Sequence, residues 1–139
     1  MKTVICFGTF DLLHLGHLSY FKQAKKYGDY LVVVVARDHT KEKQKKEILF
    51  TEGERLKLLQ SLRIVDEAVL GDKKDHFKII VEKKADVIVL GYDHSISEQD
   101  LKKELAKRNL FPQIFRAKPF KLNSHQSTIL RSRLQQGGT

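Results

Sequence analysis

A chain of 139 residues with 41% hydrophobic and 31% charged side chains has the make-up of one globular domain with its own core, not of a disordered tail. Its longest apolar run, Leu31 to Ala36, is far shorter than the ~20 residues a membrane-crossing helix needs, which excludes a helical membrane protein. The net charge of +9 suits a polyanionic partner, whether nucleic acid, an anionic membrane or a phosphate-rich small molecule, and does not choose among them.

In chain order, Lys2 to Phe7 reads as a buried strand followed by a turn at Gly8-Thr9-Phe10-Asp11. Leu15 to Tyr27 carries Leu18, Phe21 and Ala24 at helical spacing, with Gly28 as a stop. Tyr30 to Ala36, with four consecutive valines, is an unalternating apolar strand of the kind covered on both faces in a parallel sheet. Asp38 to Glu47 is polar and lysine-dense, a loop or a frayed helix. Thr51 opens the next helix, with Glu54 completing a capping box. Val65 to Leu70 is a strand ending at Gly71, and His76 to Lys84 a helix. Asp86 to Leu90 is a strand ending at Gly91, Ser97 to Arg108 a helix capped by Ser97, and Pro112 to Phe115 a last short strand. A terminal helix is expected from about Gln126 to Leu134.

This alternation predicts a single α/β domain over residues 1–134, a Rossmann-like, doubly wound, mostly parallel five-stranded sheet with helices on both faces, and a loose tail over 135–139. Ligands on such sheets bind beyond the carboxyl ends of the strands, where strand order reverses. The lone Cys6 excludes an internal disulfide, and its apolar surroundings read as a small core residue. The first residues turn to Gly8 and Asp11 too early for a secretory apolar segment, so a cytoplasmic protein is expected.

The residues with chemistry fall in the loop after the first strand. His14 and His17, three apart, share one face of a helical turn, and Gly16 between them leaves room for close approach of a ligand. A helix N-terminus favours an anion there. Two other readings stand beside a phosphate site: a metal pair, for which no Cys or third His lies nearby in sequence, and two unrelated surface histidines. The second leaves unexplained why both fall at a strand-turn-helix junction.

Gly8-Thr9-Phe10-Asp11-Leu12-Leu13-His14-Leu15-Gly16-His17 resembles the signature of the HxGH nucleotidyltransferase superfamily, most of all its cytidylyltransferase-like branch. Further elements resemble that branch: Arg63 and Asp66 in Leu-Arg-Ile-Val-Asp, Gly91-Tyr92-Asp93 after the fourth strand, and Ser127-Thr128-Ile129-Leu130-Arg131. Each has a plainer reading by itself: Ser127-Thr128 as a helix cap, Arg63 paired with Asp66, Asp93 capping a turn. Gln126 and His94 depart from the branch's pattern.

The resemblance implies transfer of a nucleotide to a phosphorylated acceptor with release of pyrophosphate, with Mg²⁺ carried by the triphosphate and no metal ligands from the protein. It implies His14, His17 and Arg131 as catalytic groups. Gly8, Thr9, Phe10, Leu15, Gly16, Gly91, Asp93, Ser127 and Thr128 would join the histidines in holding the nucleotide. Asp11, Lys43, Arg63 and Lys121 would meet the acceptor, and the Lys41, Lys43, Lys45 and Lys46 cluster could close as a lid. Two member types compete: Met1 to Val65 resembles the glycerol-3-phosphate cytidylyltransferases, whereas the second half resembles archaeal-type FAD synthases, which adenylylate FMN. Ala117 to Asn123, with Phe120 and Leu122 to pack on a flat ring, favours ATP and FMN; a polyol or sugar phosphate with CTP is the alternative. A homodimer is expected from the same resemblance. A nucleic-acid-binding module is a further class, weakened by the lack of a recognisable motif and by little interleaving of aromatic with basic residues.

Overall fold

The computed structural model describes residues 1–39 and 48–120. In chain order the elements are β1 (Thr3–Gly8), α1 (Leu15–Lys25), β2 (Tyr30–Val35), α2 (Glu52–Gln60), β3 (Glu67–Leu70), α3 (Lys78–Glu82), β4 (Val87–Leu90), α4 (Glu98–Ala106) and β5 (Gln113–Arg116). All five strands run parallel, in the order β3-β2-β1-β4-β5. The order reverses between β1 and β4, so the crevice for a ligand opens beyond the carboxyl ends of these two strands.

Alternate side chains of each strand enter separate cores. Val4, Cys6, Val33, Val35, Val87 and Val89 pack with Phe21 and Ala24 of α1 and Leu59 of α2. Ile5, Val32, Val34, Ile88 and Leu90 pack with Ile79 and Ile80 of α3 and Leu101 and Leu105 of α4. This double covering is why the valine run does not alternate.

The caps read from the sequence are present. Thr51 Oγ1 accepts from Glu54 N at 3.2 Å while Glu54 Oε1 accepts from Thr51 N at 3.1 Å, and Ser97 Oγ accepts from Asp100 N at 3.0 Å. The helix expected over His76 to Lys84 is shorter, Lys78–Glu82. Asp72 Oδ2 takes the amides of Lys74 and Asp75, and Asp75 Oδ1 that of Phe77, which holds the preceding segment as turns. Lys84 then enters the left-handed region (φ 52°) and stops the helix. No helix of the described residues is long and apolar enough to cross a membrane. The expected terminal helix, the 135–139 tail and most of the Asp38 to Glu47 segment lie outside the described residues.

Candidate active site

The loop after β1 is built around an aromatic ring. Phe10 has φ 54° and its side chain folds back over Gly8, whose added Cβ would meet the ring at 2.6 Å. Only glycine fits that contact. The Phe10 ring is buried, 4% exposed, and packs against Phe21 and edge-on to His17, with centroids 5.3 and 5.4 Å apart. It acts as a wedge beneath the site rather than as a surface for a ligand.

His14 is the N-cap of α1, and the two histidines cap the helix reciprocally. His14 Nδ1 accepts from Gly16 N at 3.0 Å, and His17 Nδ1 accepts from His14 N at 3.2 Å. A neutral imidazole that accepts at Nδ1 carries its proton on Nε2. The backbone therefore sets both rings in the Nε2–H form, as donors. The rings lie side by side, centroids 4.1 Å apart and planes at 36°. Gly16 has a steric reason as well: an added Cβ would meet the His14 ring at 2.6 Å.

One expectation changes here. The amides of the first helical turn were to face an anion, but Gly16 N is taken by His14 Nδ1 and His17 N by His14 O at 3.0 Å. Those two amides are spent within the helix cap.

Asp11 was expected at the acceptor. It is 3% exposed, and its oxygens accept from Leu49 N at 2.7 Å and Phe50 N at 2.8 Å, so it anchors the segment leading into α2. Arg55 completes that junction from below. Fully buried, it donates to Thr9 O and Ala36 O, both at 2.8 Å, to Phe50 O at 3.2 Å and to Asp38 Oδ1 at 2.5 Å. The ends of β1 and β2 and the start of α2 are thus tied by one guanidinium. Sequence reasoning passed it over because a lone arginine in an amphipathic helix reads as solvated.

Across the crevice, Gly91 follows β4 and is buried, while Asp93 is exposed. The turn between them and the chain is closed by His94, not by Asp93: His94 N donates to Gly91 O at 3.2 Å, and His94 Nδ1 accepts from Gly91 N at 3.1 Å. Arg116 of β5 holds this turn from outside, donating to Gly91 O at 3.0 Å, His94 O at 2.9 Å, Ile96 O at 2.6 Å and Glu98 Oε1 at 2.8 Å.

The structure thus brings Gly8, Thr9, Phe10, Asp11, His14, Leu15, Gly16 and His17 to one side of the switch point and Gly91 and Asp93 to the other. Arg63 is not with them. It is exposed in the turn before β3, at the amino ends of the strands. Nor does Asp66 pair with it; Asp66 accepts from Lys25 Nζ at 2.6 Å and Leu31 N at 2.8 Å. Lys43, Lys121, Ser127, Thr128 and Arg131, with the other lysines of the 41–46 cluster, lie outside the described residues. Burial pushes the Cys6 thiol up to about 12, which removes it as a nucleophile. Among the described residues no three His, Cys, Asp or Glu side chains gather closely enough to hold a metal ion.

With the geometry in place, the likeness to known proteins is specific. The Cytidylyltransferase-like family matches residues 5–133. An FAD synthase of Thermoplasma acidophilum is 42% identical over 136 residues, which cover 98% of this chain and 96% of the relative. Another, of Ferroglobus placidus, is 46% identical over 116 residues, covering 84% of this chain and 76% of the relative. A crystal structure from Thermoplasma volcanium, described as a lipopolysaccharide core biosynthesis protein, superposes with a TM-score of 0.84 at 43% identity, over 87% of this chain and 99% of that one. The chain belongs to the Cytidylyltransferase-like family and is a nucleotidyltransferase.

Proposed function

We propose that this enzyme is an ATP:FMN adenylyltransferase. A phosphate oxygen of FMN attacks the α-phosphorus of ATP, the new P–O bond forms as the bond to the β-phosphate oxygen breaks, and FAD and pyrophosphate leave. The attacking oxygen is anionic at neutral pH, so no enzyme nucleophile is required. Positioning and charge neutralisation carry the rate. The observation behind this reading is the imidazole pair: two Nε2–H donors, fixed by backbone contacts to Nδ1, at the switch point of the sheet. Donors held in place before charge develops stabilise it without reorganisation.

FMN is favoured by the near full-length likeness to FAD synthases and by Phe120 and Leu122 in the sequence before the terminal segment. Arg131 facing the leaving pyrophosphate, Ser127 and Thr128 at a second helix N-terminus, and Lys43 and Lys121 near the acceptor complete the proposed machinery, on sequence grounds alone. Gly8, Leu15, Gly16, Gly91 and Asp93 line the nucleotide side. Mg²⁺ enters as MgATP, held by phosphate oxygens and water. We take the working unit to be a homodimer in the cytoplasm, without nucleic acid; light scattering and a salt-dependent DNA and RNA retardation assay check the first and last of these.

The experiment is a matrix of ATP and CTP against FMN, glycerol 3-phosphate and several sugar phosphates, read as pyrophosphate release. The expected maximum is ATP with FMN. A maximum at CTP with glycerol 3-phosphate would overturn the acceptor assignment, and silence throughout the matrix would overturn the function.

A further inference from the structure

β1 stays paired with β2 through Gly8↔Val35, but its pairing with β4 stops two residues earlier, at Cys6↔Val89. In a parallel ladder successive residues turn their main-chain groups to opposite neighbours. Ala36 N donates to Gly8 O, so even-numbered residues of β1 face β2 and Phe7 faces β4. Phe7 N and Val89 O are therefore the atoms of the last rung. The Tyr20 hydroxyl sits on both, accepting from Phe7 N at 3.3 Å and donating to Val89 O at 2.5 Å. The next β4-side amide is Gly91 N, and it donates to His94 Nδ1 rather than to β1. The Tyr20 and His94 rings meet edge-on, centroids 6.2 Å apart and planes at 89°.

Tyr20 stands on α1 one turn beyond His17, so a single helix carries the imidazole pair and the hydroxyl at the strand junction. Burial holds its phenol well above the ordinary pKa, and the hydroxyl keeps the proton that it donates.

We infer that Tyr20 and His94 form a paired stop that ends the central β1–β4 pairing at one rung and thereby sets the width of the nucleotide crevice between the His14–His17 loop and the Gly91–His94 turn. Both are positioning residues for the triphosphate, and the inference rests on the nucleotidyltransferase reading. Without the hydroxyl, Phe7 N and Val89 O close on each other; without the His94 acceptor, Gly91 N turns to β1. Either change narrows the crevice.

The test is MgATP affinity by calorimetry, with kcat from pyrophosphate release, for wild type, Tyr20→Phe, His94→Ala, His94→Asn and Ile80→Val. Ile80 is buried on the opposite face of the sheet and serves as a core control. Tyr20→Phe and His94→Ala should each weaken MgATP binding about tenfold, the worth of one well-placed hydrogen bond, with kcat at saturation within about threefold of wild type. His94→Asn, which keeps an acceptor for Gly91 N, should recover most of the affinity, and Ile80→Val should bind as wild type does. Unchanged affinity in Tyr20→Phe, equal weakening in Ile80→Val, or no recovery in His94→Asn would overturn the inference. Wild-type protein that binds neither MgATP nor MgCTP would instead sink the functional reading, whatever the variants do.

Discussion

The two ends of the central sheet are finished in opposite ways. At the amino end, an aspartate stands immediately before β2, β3 and β4, and each reaches the first amides of a neighbouring strand. Asp29 Oδ2 accepts from Lys2 N at 3.0 Å, Asp66 Oδ2 from Leu31 N at 2.8 Å, and Asp86 Oδ2 from Thr3 N at 2.8 Å. These side chains satisfy amides that the ladder leaves over and lock the strands in register. At the carboxyl end, Gly8 closes β1 and Gly71 and Gly91 follow β3 and β4; Asp11 still takes the amides of Leu49 and Phe50 ahead of α2, but the amides of Gly16 and Gly91, on either side of the switch point, are taken by the imidazoles of His14 and His94. A carboxylate presented to a triphosphate would repel it; a neutral imidazole that accepts from the backbone at Nδ1 carries its proton on Nε2 and bears no negative charge. The amino end ties its strands through carboxylates, and the β1–β4 side of the carboxyl end carries imidazoles in the Nε2–H form.

Substitutions of the imidazoles and of the residues that tie strand ends together should therefore separate activity from stability. The largest effect is expected for His17→Ala: turnover falls by more than ~100-fold, as for loss of one preorganised donor, while the melting temperature drops only a few degrees. A His17→Ala enzyme with nearly full turnover would break the comparison. Arg55→Leu should be the most destabilising single change, about 3–5 kcal/mol by denaturant titration, because it strips four acceptors of one buried donor group. Asp86→Ala, at the amino end, should cost about 1–2 kcal/mol for the orphaned Thr3 amide and leave kcat unchanged.

Asp66→Asn sharpens the contrast through pH. Burial pushes the Asp66 carboxyl up, but the Leu31 amide and Lys25 outweigh it and hold its pKa below the ordinary carboxylate range. A carboxyl with a depressed folded pKa contributes stability that is fully present above the unfolded value of ~3.9 and lost as pH falls through the folded value. The difference in stability between wild type and Asp66→Asn should therefore be largest near neutrality and vanish in strong acid. A difference that grows on acidification would contradict the assignment.

Much of the frame was legible in the sequence because its signals are local. The valine run of β2, the capping box at Thr51 and Glu54, and the Ser97 cap each depend on neighbours within a few positions. The helix at Lys78–Glu82 was over-extended because Asp72 and Asp75 hold the preceding backbone in turns, a competition that apolar periodicity does not register. Within the site, the histidine spacing and the strand-turn-helix context point to the loop after β1, but not to the rings capping their own helix. Asp11 was assigned to the acceptor because its partners, Leu49 and Phe50, lie 38 and 39 residues on. Arg55 and Tyr20 went unread for the same reason: Arg55 bonds Thr9 across 46 residues, and Tyr20 bonds Val89 across 69. Residues that act by joining distant segments leave no pattern around themselves.

The state of the two imidazoles is open to direct observation by ¹⁵N NMR of the histidine side chains, recorded without and with MgATP. For His14 and His17 the account predicts neutral rings protonated at Nε2 in the free protein, with the Nε2 resonances shifting on nucleotide addition. Rings protonated at Nδ1, or Nε2 signals indifferent to saturating MgATP, would contradict it.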